Sequence, residues 1–197
     1  MIMVLGITGI SGSGKHTAAN YLQKKGWVVL DADTLAHHLY RPYTNVWKAI
    51  VKEFGEKILN QDDSINRVQL GKIVFDPAHP EEAEKALLKL NGIVHPFVRR
   101  RLEEDIHYDV RRGMSVAVVA ALWKELGLGE ICEKLLWVSA DPGLAMDRIL
   151  RRDGISSEIY AQRVRGQKPP LKPDWALENN GTPEELYGKL SAALGVK

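Results

Sequence analysis

A single cysteine, Cys132, is all the thiol that this 197-residue chain contains. It has no intramolecular disulfide partner, which fits a reducing compartment. Net charge is equally scarce: 27 basic against 25 acidic residues leave +2. Global electrostatics therefore give no reason to expect a nucleic-acid or membrane partner. No apolar run approaches the ~20 residues that span a bilayer, and no basic leader with a small-residue cleavage site precedes the first apolar segment. Repeats and low-complexity tracts are missing too. A cytoplasmic protein is the expectation. The rest is ordinary, with 45% apolar and 26% charged residues, enough for one α/β domain with a substantial insertion.

Short apolar runs at residues 3–8, 27–30, 115–121 and 135–139, and a weaker one at 174–178, read as strands buried on both faces. Helical stretches separate them, the first from about Lys15 to near Gly26. This alternation predicts an α/β fold, a parallel five-stranded sheet flanked by helices, with ligands outside the carboxyl ends of its strands. Residues 32–114 carry no convincing strand. Segments around 33–40, 44–54, 67–75, 81–91 and 93–112 read as helices, so 32–114 is a helical insertion into a core of 1–31 and 115–197. Asp33-Thr34 is a plausible cap for the first of these helices. His95-Pro96 reads as a boundary between the last two, because proline disfavours helix at the residue before it. Trp27, Trp123, Trp137 and Trp175 lie in or beside strands and suit packing.

The first strand runs into Gly9-Ile10-Ser11-Gly12-Ser13-Gly14-Lys15-His16-Thr17. Glycines at 9, 12 and 14 let backbone N–H groups wrap a phosphate, and the following helix adds the positive end of its dipole. Lys15 supplies a mobile charge for the β- and γ-phosphates of a nucleoside triphosphate. The G-x-x-x-x-G-K spacing is that of a P-loop NTPase. His16 departs from it, standing where a hydroxyl ordinarily meets magnesium. Imidazole is a poor ligand for that hard cation, and Thr17 lies about 100° further round the helix. No acidic residue occurs in the third apolar run. Mg2+ is thus expected to be held mainly through the nucleotide and water, with no protein metal ligand. His16 itself either packs in the loop or contacts a phosphate or water.

Asp31 and Asp33 follow the second strand. One carboxylate there suits orienting or deprotonating an acceptor hydroxyl that faces the γ-phosphate. Further on, residues 148–172 hold seven basic side chains (Arg148, Arg151, Arg152, Arg163, Arg165, Lys168, Lys172) against Asp153 and Glu158. A basic segment of this kind can screen phosphates and exclude water. Arg148 and Arg152, four apart, can share one helix face.

Taken in order, these segments resemble dephospho-coenzyme A kinase. The resemblance runs through Thr8 to Lys15, Asp31-Ala32-Asp33-Thr34-Leu35-Ala36-His37, Phe54-Gly55, Ile65-Asn66-Arg67, Leu70-Gly71, Ile73-Val74-Phe75 and Ile93-Val94-His95-Pro96. It resumes at Arg148 to Asp153, at Gln162-Arg163 with Gln167, and at Glu178-Asn179-Asn180-Gly181. It implies transfer of the γ-phosphate of ATP to the ribose 3′-hydroxyl of a small molecule, dephospho-coenzyme A. It also implies Asp33 as base or hydroxyl-orienting group, and Lys15 and Arg148 as stabilisers of the transferred phosphoryl. The insertion becomes the acceptor-binding domain, with Arg67 and His95 as candidates. Residues about 150–172 become a lid, and Asn180-Gly181 lie near the adenine. The nucleotide-binding set is then Gly9, Ser11, Gly12, Ser13, Gly14, Lys15, His16, Thr17, Arg148, Asn180 and Gly181. Two departures stand out. One is His16; the other is Ala121-Leu122-Trp123-Lys124-Glu125, where the family usually has Pro-Leu-Leu before a glutamate. Two other readings remain open at this point: a nucleoside or nucleotide kinase of similar fold, and a non-catalytic nucleotide-binding homologue in which His16 marks loss of metal chemistry.

Overall fold

A computed structural model describes residues 2–165, 167, 169, 170 and 172–196. Gly166, Lys168 and Leu171 of the expected lid lie outside the described residues, and with them one of the seven basic side chains of residues 148–172. All five expected strands are present: β1 Val4–Thr8, β2 Val28–Asp31, β3 Val116–Val119, β4 Lys134–Ser139 and β5 Trp175–Glu178. They pair in parallel throughout, in the order β2-β3-β1-β4-β5. Every residue of β1 and β3 is buried, which is why both read as unbroken apolar runs. The edge strand β5 alternates half-buried and exposed residues, and its sequence signal is weaker for that reason.

The helices are α1 Lys15–Lys24, α2 Ala32–Leu39, α3 Asn45–Phe54, α4 Arg67–Val74, α5 Pro80–Arg111, α6 Pro142–Asp153, α7 Ser157–Val164 and α8 Pro183–Leu194. Ala18 and Leu22 of α1, with Leu186 and Leu190 of α8, join Leu5, Ile7, Leu136 and Val138 of the sheet in one buried cluster. The spacing of four puts each helical pair on one face, and full burial of a leucine is worth about 1.5–3 kcal/mol. Trp123 packs as expected. A Cβ on Gly6 of the central strand would stand 1.9 Å from its ring, so glycine there makes room for the indole.

The chain divides into two compact units, Met1–Asp33 with Leu102–Lys197, and Thr34–Arg101. The second is helical, and its buried residues include Val46, Ile50, Phe54, Leu70, Val74 and Val94. Two expectations are corrected here. No break occurs at His95-Pro96, since α5 runs through Pro96 as one helix of 32 residues. Leu90, Val94, Val98, Leu102 and Ile106 are all buried on its face. Their combined burial outweighs the roughly 3 kcal/mol that an internal proline costs. Nor does Asp33 precede α2 as a cap. The helix begins at Ala32, directly out of β2, and Asp33 lies inside its first turn, where a carboxylate favours the helix dipole.

Among the described residues no helix is long and apolar enough to cross a membrane. Burial, with Glu133 beside it, pushes the Cys132 thiol up to about 12, so it stays protonated and poorly nucleophilic.

Candidate active site

β1 delivers the chain at Thr8 into the glycine loop, which turns directly into α1 at Lys15. Gly12 (φ +88°) and Gly14 (φ +95°) adopt left-handed conformations that disfavour any side chain. Space forbids one as well. A Cβ would fall 2.1 Å from the Ala145 carbonyl oxygen of α6 at Gly12, and 2.1 Å from Asn179 Nδ2 at Gly14. At Gly9 it would meet the Val138 carbonyl of β4 at 2.3 Å. Within this cradle Ser13 Oγ is buried and has no hydrogen-bond partner among the described residues. A phosphate oxygen is the kind of acceptor to which such an orphaned hydroxyl donates.

Lys15 is only 5% exposed. Burial lowers its pKa from 10.5, opposed by the negative charges of Asp33 and then Asp31. Because the folded chain disfavours the charged amine, the resulting burden on stability is present at neutral pH and fades as pH rises. A bound phosphate reverses that preference. Nucleotide binding is therefore expected to take up protons increasingly as pH climbs toward 10.5. Calorimetry in buffers of different ionisation enthalpy reads this directly, and flat behaviour across that range would exclude Lys15 as a phosphate contact.

His16 is exposed, and its Nε2 stands 2.7 Å from Asp31 Oδ2 at the end of β2. Neither reading of His16 from the sequence included this partner. Asp33, two residues on, is also exposed. Thr17 is half-buried.

Arg148 Nη1 donates to the carbonyls of Gly12 at 3.3 Å and Asn179 at 2.9 Å, so its guanidinium buttresses the loop. Asn179 Nδ2 donates in turn to the Ser13 carbonyl at 2.8 Å. Both ends of Ser11 are also held. Its N–H donates to Gln167 Oε1 at 2.7 Å, and the buried Tyr160 hydroxyl donates to its carbonyl at 3.1 Å. Asn180 sits outside this network, accepting from Asp141 N and donating to Glu178, each at 2.7 Å. Gly181 beside it is exposed. Arg152 and Arg163 both pair with Asp153, whose carboxyl they hold well below the usual range.

In the helical unit, Asn66 caps α4 by accepting from Gln69 N at 3.0 Å, which sets Arg67 at the first helical position. The Arg67 guanidinium is exposed. It donates to His37 Nε2 at 2.9 Å and lies 5.9 Å over the Tyr40 ring. His95 is half-buried midway along α5.

The family model for dephospho-CoA kinase matches residues 3–185. This chain belongs to the dephospho-CoA kinase family. A dephospho-CoA kinase of Geobacter sulfurreducens is 36% identical over 192 residues, covering 95% of this chain and 94% of its own. That of Lactobacillus johnsonii is 33% identical over 200 residues, covering 98% of each. A crystal structure from Thermus thermophilus, 31% identical, superposes with a TM-score of 0.78 over 98% of this chain and 97% of its own.

Within this dephospho-CoA kinase family member, both departures noted in the sequence have structural counterparts. His16 is engaged with Asp31, and Trp123 covers Gly6. Of three residues that hold the loop, Gln167 and Asn179 fall in segments of the family resemblance but were given no role there, and Tyr160 carries no signal in composition or spacing. Asn179→Ala is expected to cost about 1–3 kcal/mol, because it removes the donor to a buried loop carbonyl. Denaturant unfolding checks the stability, and ATP titration should show weaker binding in the same variant.

Proposed function

We infer that the chain transfers the γ-phosphoryl group of ATP to the ribose 3′-hydroxyl of dephospho-coenzyme A, releasing ADP and coenzyme A. The observation that carries this reading is a buried Lys15 in a glycine cradle, with the Asp33 and Asp31 carboxylates acting on its charge. Nucleotide binding alone needs no acceptor-side carboxylate. The loop and Lys15 bind and orient the β- and γ-phosphates. Asp33 orients the acceptor hydroxyl and takes its proton as the new O–P bond forms and the bond to the β-phosphate oxygen breaks. Lys15 stabilises the negative charge on the moving phosphoryl, and Arg148 keeps the loop in shape while adding positive potential.

Among the described residues no three His, Cys, Asp or Glu side chains gather as a metal cage. The hard donor beside α1 is the Asp31 carboxylate, whose oxygens suit Mg2+. Asp31 is the residue that would hold it, with most of its shell supplied by nucleotide and water. Bound Mg2+ neutralises charge on the phosphates.

The helical unit is the acceptor-binding domain in this reading. Arg67, aligned by His37 and Tyr40, presents a cation suited to an acceptor phosphate, and His95 is the second candidate there. Residues about 150–172 act as the lid, Asn180-Gly181 lie by the adenine, and the setting is cytoplasmic. ADP release with ATP, Mg2+ and dephospho-coenzyme A is the expected result. Folded protein that binds ATP but turns over only nucleosides or nucleotides would move the assignment to a nucleotide kinase. Binding with no turnover on any acceptor would favour a non-catalytic homologue.

A further inference from the structure

At the position after Lys15, the chain offers the cation an imidazole already engaged with a carboxylate. Asp31 accepts, so His16 Nε2 carries the proton and has no lone pair there for a metal. The hard oxygen in this pair belongs to Asp31. The contact joins the first turn of α1 to the carboxyl end of β2, across 15 residues of sequence. It fixes a carboxylate that is 21% exposed, beside a ring that is 49% exposed. Both groups belong to the same compact unit as the loop, and Asp31 is close enough to act on the charge of Lys15.

We propose that His16 is a positioning residue. Through Nε2–H it holds Asp31 so that a carboxylate oxygen, rather than any side chain of α1, makes the protein's contact with the divalent cation of the bound nucleotide, directly or across one water. This rests on the nucleotide-binding part of the kinase reading. Carboxylate–histidine pairs are common around metals, usually with the ring as ligand and the carboxylate behind it. Here the order is inverted, as hard-cation chemistry favours. A serine or threonine at 16 would instead supply its own oxygen and release Asp31 from the task.

The test measures ADP affinity in chelator, and separately the retention of Mn2+ on the ADP complex by electron paramagnetic resonance. It compares the wild-type chain with His16→Ala, His16→Gln, Asp31→Asn and the His16→Ala/Asp31→Asn double variant. Metal-free ADP affinity gives each variant's own phosphate grip, the baseline against which its Mn2+ retention is read. Mn2+ retention should fall about tenfold in His16→Ala, the scale typical of a lost outer-shell partner. Asp31→Asn should lose at least as much, and the double variant no more than Asp31→Asn alone. Glutamine, whose amide can replace the Nε2–H donor, should recover most of the loss. Unchanged Mn2+ retention in His16→Ala, or losses that simply add in the double variant, would overturn the pairing and leave the kinase reading intact. A wild-type chain that binds no ADP even without metal would overturn both.

Discussion

Lys15→Met should abolish most phosphoryl transfer while leaving the fold as stable as before, or more so. Methionine matches the length of lysine without its charge, and the site is one where burial already disfavours that charge. Removing the amine thus relieves a native-state burden at neutral pH. The phosphates lose the buried cation of Lys15 at the same time. Loss of a preorganised stabilising group costs about a hundred- to a thousand-fold in turnover. The paired measurement is ADP release alongside thermal unfolding. A variant that melts lower and loses activity in proportion would make Lys15 a packing residue instead.

Asp33→Asn should separate chemistry from binding. General-base help is worth about 10²–10⁴-fold, so turnover should fall by that order while ATP affinity scarcely moves. A first-turn carboxylate contributes only about 0.3–1 kcal/mol through the helix dipole, which bounds the expected change in stability. Equal losses in turnover and ATP affinity would instead mark Asp33 as structural. Asp33 is an exposed residue in the first turn of α2.

Much of this was legible before any coordinates. Strands buried on both faces announce themselves as apolar runs, and the glycine spacing locates its own phosphate cradle. At Pro96 the local preference of proline is overridden by burial of Leu90, Val94, Val98, Leu102 and Ile106, which decides the course of α5. Pairings made by the sheet were also invisible. The hydrogen bonds of Asn179 to Ser13 and of Tyr160 to Ser11 close across 166 and 149 residues, a separation that no local pattern encodes. His16 stands out in the sequence as an anomaly, but its partner, Asp31, lies on β2.

The three glycines of the loop abut three different neighbours: Val138 of β4, Ala145 of α6 and Asn179 beyond β5. None of those neighbours lies within a hundred residues of the loop along the chain. The nonapeptide from Gly9 to Thr17 is consequently not a portable cassette. Grafted after a strand of another protein it would carry the right letters but lack the walls that give them their shape. An engineer who wanted to transplant this phosphate grip would have to move the carboxyl ends of β4 and β5, and the start of α6, along with it.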